Sequence, residues 1–234
     1  PILSPFYDWL HNNSIWYEEQ ENAVYLSFRQ LSRITKLDYE TGEIIWDMGL
    51  SREYMPSLGN HICTDLGFSF QHDVEVLDNG NLLFFDNGNL SEIVRGTDYP
   101  TTRILEIEVI DDSYCNIVWD YDLPEDLYAW SRGGVEYLLN GNYLINIATR
   151  RGDILEVNQN KEIVWRLHLN HSGSSQYSNY RAFRVPSLFP EAFTVKADNY
   201  KSIDSDKFIQ LTNNAVNFTI SNNSGYAQSY SYAF

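Results

Sequence analysis

The sequence predicts an all-β fold built by repetition, and three observations carry that expectation. An apolar-alternating strand, a polar turn and the run [EN]-I-[IV]-W recur three times along the chain. Short β-prone runs are separated by Asn-Gly or other Gly-containing turns. Aromatic residues make up 15% of the chain and charged residues 21%, a balance that allows a packed core and argues against wholesale disorder.

The first unit reads as NNSIWYEE, then ENAVYLSFR, then the hairpin SRITKLDYETGEIIWDMG over Ser32–Gly49. The second reads as HDVEVLD, NGNLLFFDNG and TRILEIEVIDDSYCNIVWDYDL over Thr102–Leu123. The third reads as GGVEYLL, NGNYLINIA and GDILEVNQNKEIVWRLHL over Gly152–Leu169. The units differ in length at their turns, where insertions are tolerated. Trp46, Trp119 and Trp165 occupy one repeat position, and their expected role is packing between neighbouring units. Four antiparallel strands per unit with one tryptophan each is the pattern of a β-propeller blade. The blades fall at about 11–50, 72–123 and 134–169. Propellers close with roughly four to eight blades, so the missing ones are expected from upstream sequence or from another chain. Residues 1–195 are therefore read as a partial propeller with a closing segment. The Ser-, Asn- and Tyr-rich stretch 196–234 is read as a β-rich extension or small module. The opening PILSPFYDWLHNN lacks a start Met and a signal-peptide pattern, which suggests a processed chain or a fragment.

The formal net charge is -16. Such a chain repels nucleic acid and anionic membranes, and neither is an expected partner. No apolar run is long enough to insert into a bilayer. An anionic substrate would need a locally positive pocket. Cys63 and Cys115 fit no zinc motif and no CxxC, and both one disulfide and two thiols stay open.

In a propeller the first strand of each blade lines the central channel. His11 and His72 each stand just before a first strand, at matching repeat positions, where the third unit has Gly133-Gly134. A lone histidine there most often bonds a loop carbonyl, whereas two would converge on the axis as pocket residues. The segment Asp86-Asn87-Gly88 ends the following strand. Asn87 reads first as turn chemistry and then as a substrate-binding group. Arg29, Arg103, Arg150, Arg151 and Arg181 offer guanidinium forks suited to sulfate, phosphate or carboxylate. His61, His168 and His171 show no partner spacing and read as surface or loop residues. No HExxH, P-loop, GxSxG or GxGxxG occurs, and nothing calls for a metal.

The segments DWLHNNS, FSFQHDVEVLDNGNLLFFDNG, RILEIEV and YSNYRAFRVPSLFP, in this order, resemble the C-terminal half of the PAPS-independent arylsulfotransferases. The resemblance covers roughly residues 7–195. It implies a six-bladed propeller and an exported bacterial enzyme, secreted or periplasmic, that uses no nucleotide donor and no cofactor. Its substrates would be an aryl sulfate and a phenol, with sulfuryl transfer through a sulfo-histidine. Motif by motif, His11 and His72 match the family's sulfate-holding histidines and are read as the catalytic residues, with His72 a candidate nucleophile in this branch, and Tyr180-Arg181-Ala182 matches a late loop. Arg103 or Arg151 would supply the sulfate-binding arginine, because FDNG is not closely followed by one. The stretch matching the family's attacking histidine reads ATRRGDILEV, with Arg150, Arg151 and Asp153 and no histidine. Two functions are therefore expected in order. The first is sulfuryl transfer between phenolic compounds. The second is a propeller without the nucleophile that binds a ligand or assembles with a partner protein. A cluster of imidazoles and guanidiniums at the axis favours the first.

Overall fold

The structure, a computed structural model, describes residues 8–54, 59–148, 152–168, 179–185, 192–198, 200–203, 206–209, 214–224 and 227–231. Arg150, Arg151 and His171 lie outside the described residues. Chain contacts divide the protein into Pro1–Phe183 and Arg184–Phe234. The sequence places the corresponding change of character near residue 196.

In the first unit three antiparallel meanders follow one another. The first joins β1 (Asn12–Glu18), β2 (Ala23–Phe28), β3 (Arg33–Asp38) and β4 (Ile44–Gly49) in sequence order, and β5 (His61–Ile62) adds in parallel at its outer edge. The second joins β6 (His72–Val76), β7 (Leu82–Asp86), β8 (Arg103–Ile110) and β9 (Tyr114–Asp122), with a short helix α1 (Ser91–Val94) between β7 and β8. The third joins β10 (Gly134–Tyr137), β11 (Tyr143–Asn146), β12 (Ile154–Val157) and β13 (Ile163–Leu167). Each is a four-stranded propeller blade, as the repeats predict. In the second unit β14 (Phe193–Ala197) pairs with β17 (Phe218–Asn222), and β15 (Tyr200–Ile203) with β16 (Asp206–Ile209), both antiparallel. Among the described residues no helix is long and apolar enough to cross a membrane.

The blades stack face to face because their strands alternate. On β7, Leu82 and Phe84 enter one core with Tyr25, Ile34, Trp46 and Met48 of the first blade. Leu83 and Phe85 enter another with Trp119, Tyr143, Ile145 and Leu155. A period of two on one strand thus serves two interfaces, and all five residues of β7 are buried. The first strands become neighbours: β1 lies against β6, and β6 against β10.

The repeat tryptophans join each blade to the next. The Trp46 indole N–H donates to Asp112 in the β8–β9 turn at 2.7 Å, and that of Trp119 to the Gln159 carbonyl in the β12–β13 turn at 3.2 Å. Trp165 differs from the expected packing role, being 44% exposed, since no further four-stranded sheet follows β13 among the described residues. The Asn-Gly turns also bind inward. Asn81 donates to Glu106 at 2.6 Å, and Asn142 donates to Glu156 at 2.7 Å. Cys63 and Cys115 form a disulfide between the first blade's trailing loop and β9.

Candidate active site

The starts of the first strands form one rim of this arrangement. His72 opens β6 and is 7% exposed. Its Nδ1–H donates to Asn87 Oδ1 at 2.7 Å and is shared with the Phe70 carbonyl at 3.0 Å. Its Nε2 accepts the Arg132 backbone N–H at 3.3 Å. Protein groups thus engage both ring nitrogens. Burial pushes the His72 pKa down to about 4, and the nearby charges of Arg29 and His11 act in the same direction. Resting His72 is therefore a neutral Nδ1–H imidazole.

Asn87 is the hub. Its Nδ2 donates to the Ala129 and Arg132 carbonyls at 2.6 and 2.9 Å while its Oδ1 holds His72. It orients the loop 129–132 and the imidazole together. That loop carries strain: Arg132 has φ 59°, and across the site Phe70 and Asp73 have φ 58° and 57°. For residues with a Cβ, left-handed backbone is held only where surrounding contacts over-determine it. Gly133 at φ 99° follows, and a Cβ there would lie 2.5 Å from the Phe85 ring.

His11 sits outside β1, in a turn with φ 49°. Its Nδ1 contacts the Asp8 carboxylate, and the two side chains are 42% and 54% exposed. Its carbonyl accepts the Arg29 N–H at 3.0 Å, which ties the turn to the end of β2. The matching positions expected for the two histidines are corrected by register. His72 faces Phe85 across its ladder, and the first-blade counterpart of Phe85, Ser27, faces Ser14. A bulge between Asn12 and Ser14 carries His11 beyond the strand.

Arg29 stacks 4.8 Å from the centre of the Phe70 ring and donates to the Trp130 carbonyl at 3.4 Å. Partial burial lowers its pKa, against the opposing charges of Asp8 and Tyr128. His11, His72, Arg29 and Asn87 are therefore brought together, with Asp8, Tyr128 and Trp130 around them. The sequence reading did not single out these last three, although the DWLH run places Asp8 one short turn before His11. Trp130 is also held by Asn89, whose side-chain N–H donates to its carbonyl at 3.0 Å.

The other two candidate arginines among the described residues, Arg103 and Arg181, serve nearby supports. Arg103 is buried, its Nε donating to Asp86 at 2.9 Å and its Nη2 to the Leu66 carbonyl. Asp86 is wholly buried and also accepts the backbone N–H groups of Ser69 and Gly88 at 2.9 Å. Burial raises its pKa, against the opposing charges of Arg103 and Arg95, and the Arg103 guanidinium is the counter-charge that offsets the burial. Arg181 pairs with Asp73, which also accepts the Val135 backbone N–H at 2.9 Å. Arg151 lies outside the described residues. His168, expected to be a partnerless surface residue, pairs with Asp153 at 2.7 Å, and Arg166 shares that carboxylate at 3.3 Å.

Toward the far ends of the first strands lies a cavity of about 620 Å³, lined in part by Trp16, Glu75, Glu136, Tyr137 and Leu139. Burial pushes the Glu75 pKa up to about 7, assisted by Asp73 and Glu136. This end of the first strands is thus acidic, whereas the histidine rim carries the Arg29 guanidinium.

A family model described as Arylsulfotransferase (ASST) matches residues 4–232. No curated protein sequence matches the chain. Among solved structures, a protein of unknown function from Bacteroides caccae is 13% identical, with 71% of this chain and 49% of that one covered and a TM-score of 0.45. Virginiamycin B lyase from Staphylococcus aureus is 14% identical, with 65% and 39% covered and a TM-score of 0.36. BamB from Moraxella catarrhalis is 16% identical, with 70% and 40% covered and a TM-score of 0.36. The chain spans half or less of the length of these structures.

Proposed function

We propose, from the premise that the chain belongs to the arylsulfotransferase family, that it moves a sulfuryl group from an aryl sulfate ester to a phenol without a nucleotide donor. The observation that carries this reading is the convergence of His11, Arg29, His72 and Asn87 on one rim of a chain whose net charge is -16. An anion finds its locally favourable site there and repulsion over most of the remaining surface.

Arg29 presents a planar fork of N–H donors to the sulfuryl oxygens. Its stacking on Phe70 and its contact with Trp130 orient that fork. Fixed donors facing oxygens that gain charge in the transition state lower the barrier. His72 and Asn87 hold the loop 129–132 in place. As a neutral Nδ1–H tautomer, His72 donates to a sulfuryl oxygen only after Nε2 gains a proton and releases the Arg132 N–H. A bound anion favours that protonation. Arg103 and Arg181 act on the rim indirectly, through Asp86 and Asp73.

Export to a secreted or periplasmic location is part of the proposal. The Cys63–Cys115 disulfide supports it, since such bonds persist in oxidising compartments. Completion of the ring by further blades, from upstream sequence or another chain, is supported by the apolar surface that Ile163, Trp165 and Leu167 expose on β13. The charge supports the expectation of no nucleic-acid partner. The test is Arg29→Gln in the full-length protein, assayed with a chromogenic aryl sulfate and a phenol. Its kcat/KM is expected to fall on the order of 10²- to 10³-fold. Wild-type kinetics in that variant would remove Arg29 from the site.

A further inference from the structure

We infer that His11, braced by Asp8, is the nucleophile that receives the sulfuryl group, in the place of the histidine that ATRRGDILEV lacks. This inference rests on the transferase reading above. A nucleophilic imidazole needs one ring nitrogen held by an orienting acceptor and the other directed at the substrate. His11 fits these conditions: the Asp8 carboxylate contacts Nδ1, and the 42% exposure of the side chain leaves it accessible to a substrate. The hydrogen bond between the His11 carbonyl and the Arg29 N–H at 3.0 Å ties the His11 turn to the backbone that carries the guanidinium, and Gln30 N–H donates to the Leu10 carbonyl at 3.3 Å in the same turn. The φ of 49° is a conformation held by those contacts.

The remaining described histidines lack this arrangement. His72 has both nitrogens engaged within the protein and is nearly buried. His61 lies on β5, at the outer edge of the first blade. His168 resembles His11 in having a carboxylate partner, but it follows β13, the outermost strand of the third blade, and its Asp153 is shared with Arg166. Neither stands at the start of a first strand, as His11 does immediately before β1.

The His11 Nε2 lone pair forms an N–S bond while the S–O bond to the aryl group breaks. The aryloxide leaves with that electron pair and takes a proton from water. The resulting N-sulfo-imidazolium keeps its proton on Nδ1, facing the Asp8 carboxylate, which stabilises the new positive charge. The acceptor phenol oxygen then attacks sulfur, the N–S electron pair returns to Nε2, and the phenol proton passes to the hydroxide left by the first step. No oxidant or reductant is involved.

The test is a single turnover of the full-length protein with a 35S-labelled aryl sulfate and no acceptor, quenched in base and mapped by peptide. The expected result is a burst of one phenol per protein and label on the peptide containing His11. His11→Gln should abolish both. Asp8→Asn should slow the burst on the order of 10²-fold and Asp8→Glu should restore most of it, with circular dichroism unchanged in all three variants. Label on another histidine, or a burst that survives His11→Gln, would overturn the assignment. Acceptor-dependent turnover with no labelled protein would overturn it too while leaving the transferase reading standing. Absence of any turnover in the wild type would overturn both.

Discussion

Asn87 lies between an imidazole and two carbonyls, and nothing in its FDNG context distinguishes it from an ordinary turn asparagine. Asn87→Ala deprives the buried Ala129 and Arg132 carbonyls of donors and removes an acceptor from His72. Urea unfolding of this variant should show a loss of about 2–4 kcal/mol. The His72 proton adds a pH signature. Its pKa is 6.5 unfolded and about 4 folded. Above pH 6.5 both states are neutral and the contribution is fully present. As pH falls toward 4 the unfolded chain takes up a proton that the native state refuses, and stability declines by up to about 3 kcal/mol. Glu75 runs the other way, from 4.5 unfolded to about 7 folded. Its contribution is fully present below pH 4.5 and is lost as pH rises through 7. The two slopes offset each other between pH 4.5 and 6.5. In Glu75→Gln the His72 slope should stand alone, and stability measured by denaturation should rise with pH across that interval more steeply than in the wild type. An unchanged slope would contradict the buried, neutral state assigned to one of these groups.

At the scale of elements, the strands were legible because period-two alternation and Asn-Gly turns act locally. The blade limits near 11–50, 72–123 and 134–169 contain the observed strands. The site was legible in part. His11 and His72 were legible because each stands at the start of a first strand, which places it at the rim, although their registers differ. Arg103 also opens a third strand, but whether its guanidinium faces a substrate or a buried acid depends on Asp86, a residue of another strand that spacing cannot orient. The bulge that removes His11 from the ladder is likewise decided by packing. The loop 129–133 left only Gly133-Gly134 as a sign. A Cβ on Gly133 would meet Phe85 at 2.5 Å, on a backbone with φ of 99°. Gly133→Ala should therefore push the loop away from His72 and lower kcat/KM for an aryl sulfate by about tenfold or more. Activity equal to wild type would show that the loop's position is irrelevant to turnover.

For the whole molecule, the blades are joined by stacked cores, by tryptophans reaching into neighbouring turns, and by one covalent link. The disulfide spans 52 residues of sequence. By loop entropy, replacing both cysteines with serine should cost about 4 kcal/mol. Thermal unfolding with and without reductant measures this, and no shift in Tm would mean the blades need no link. The measurement that bears most directly on the whole account uses the full-length protein, a chromogenic aryl sulfate and a titrated phenol acceptor. The account predicts that release of the chromogenic phenol rises with acceptor concentration and that sulfate appears on the acceptor. A folded protein that releases no phenol at any acceptor concentration would contradict it.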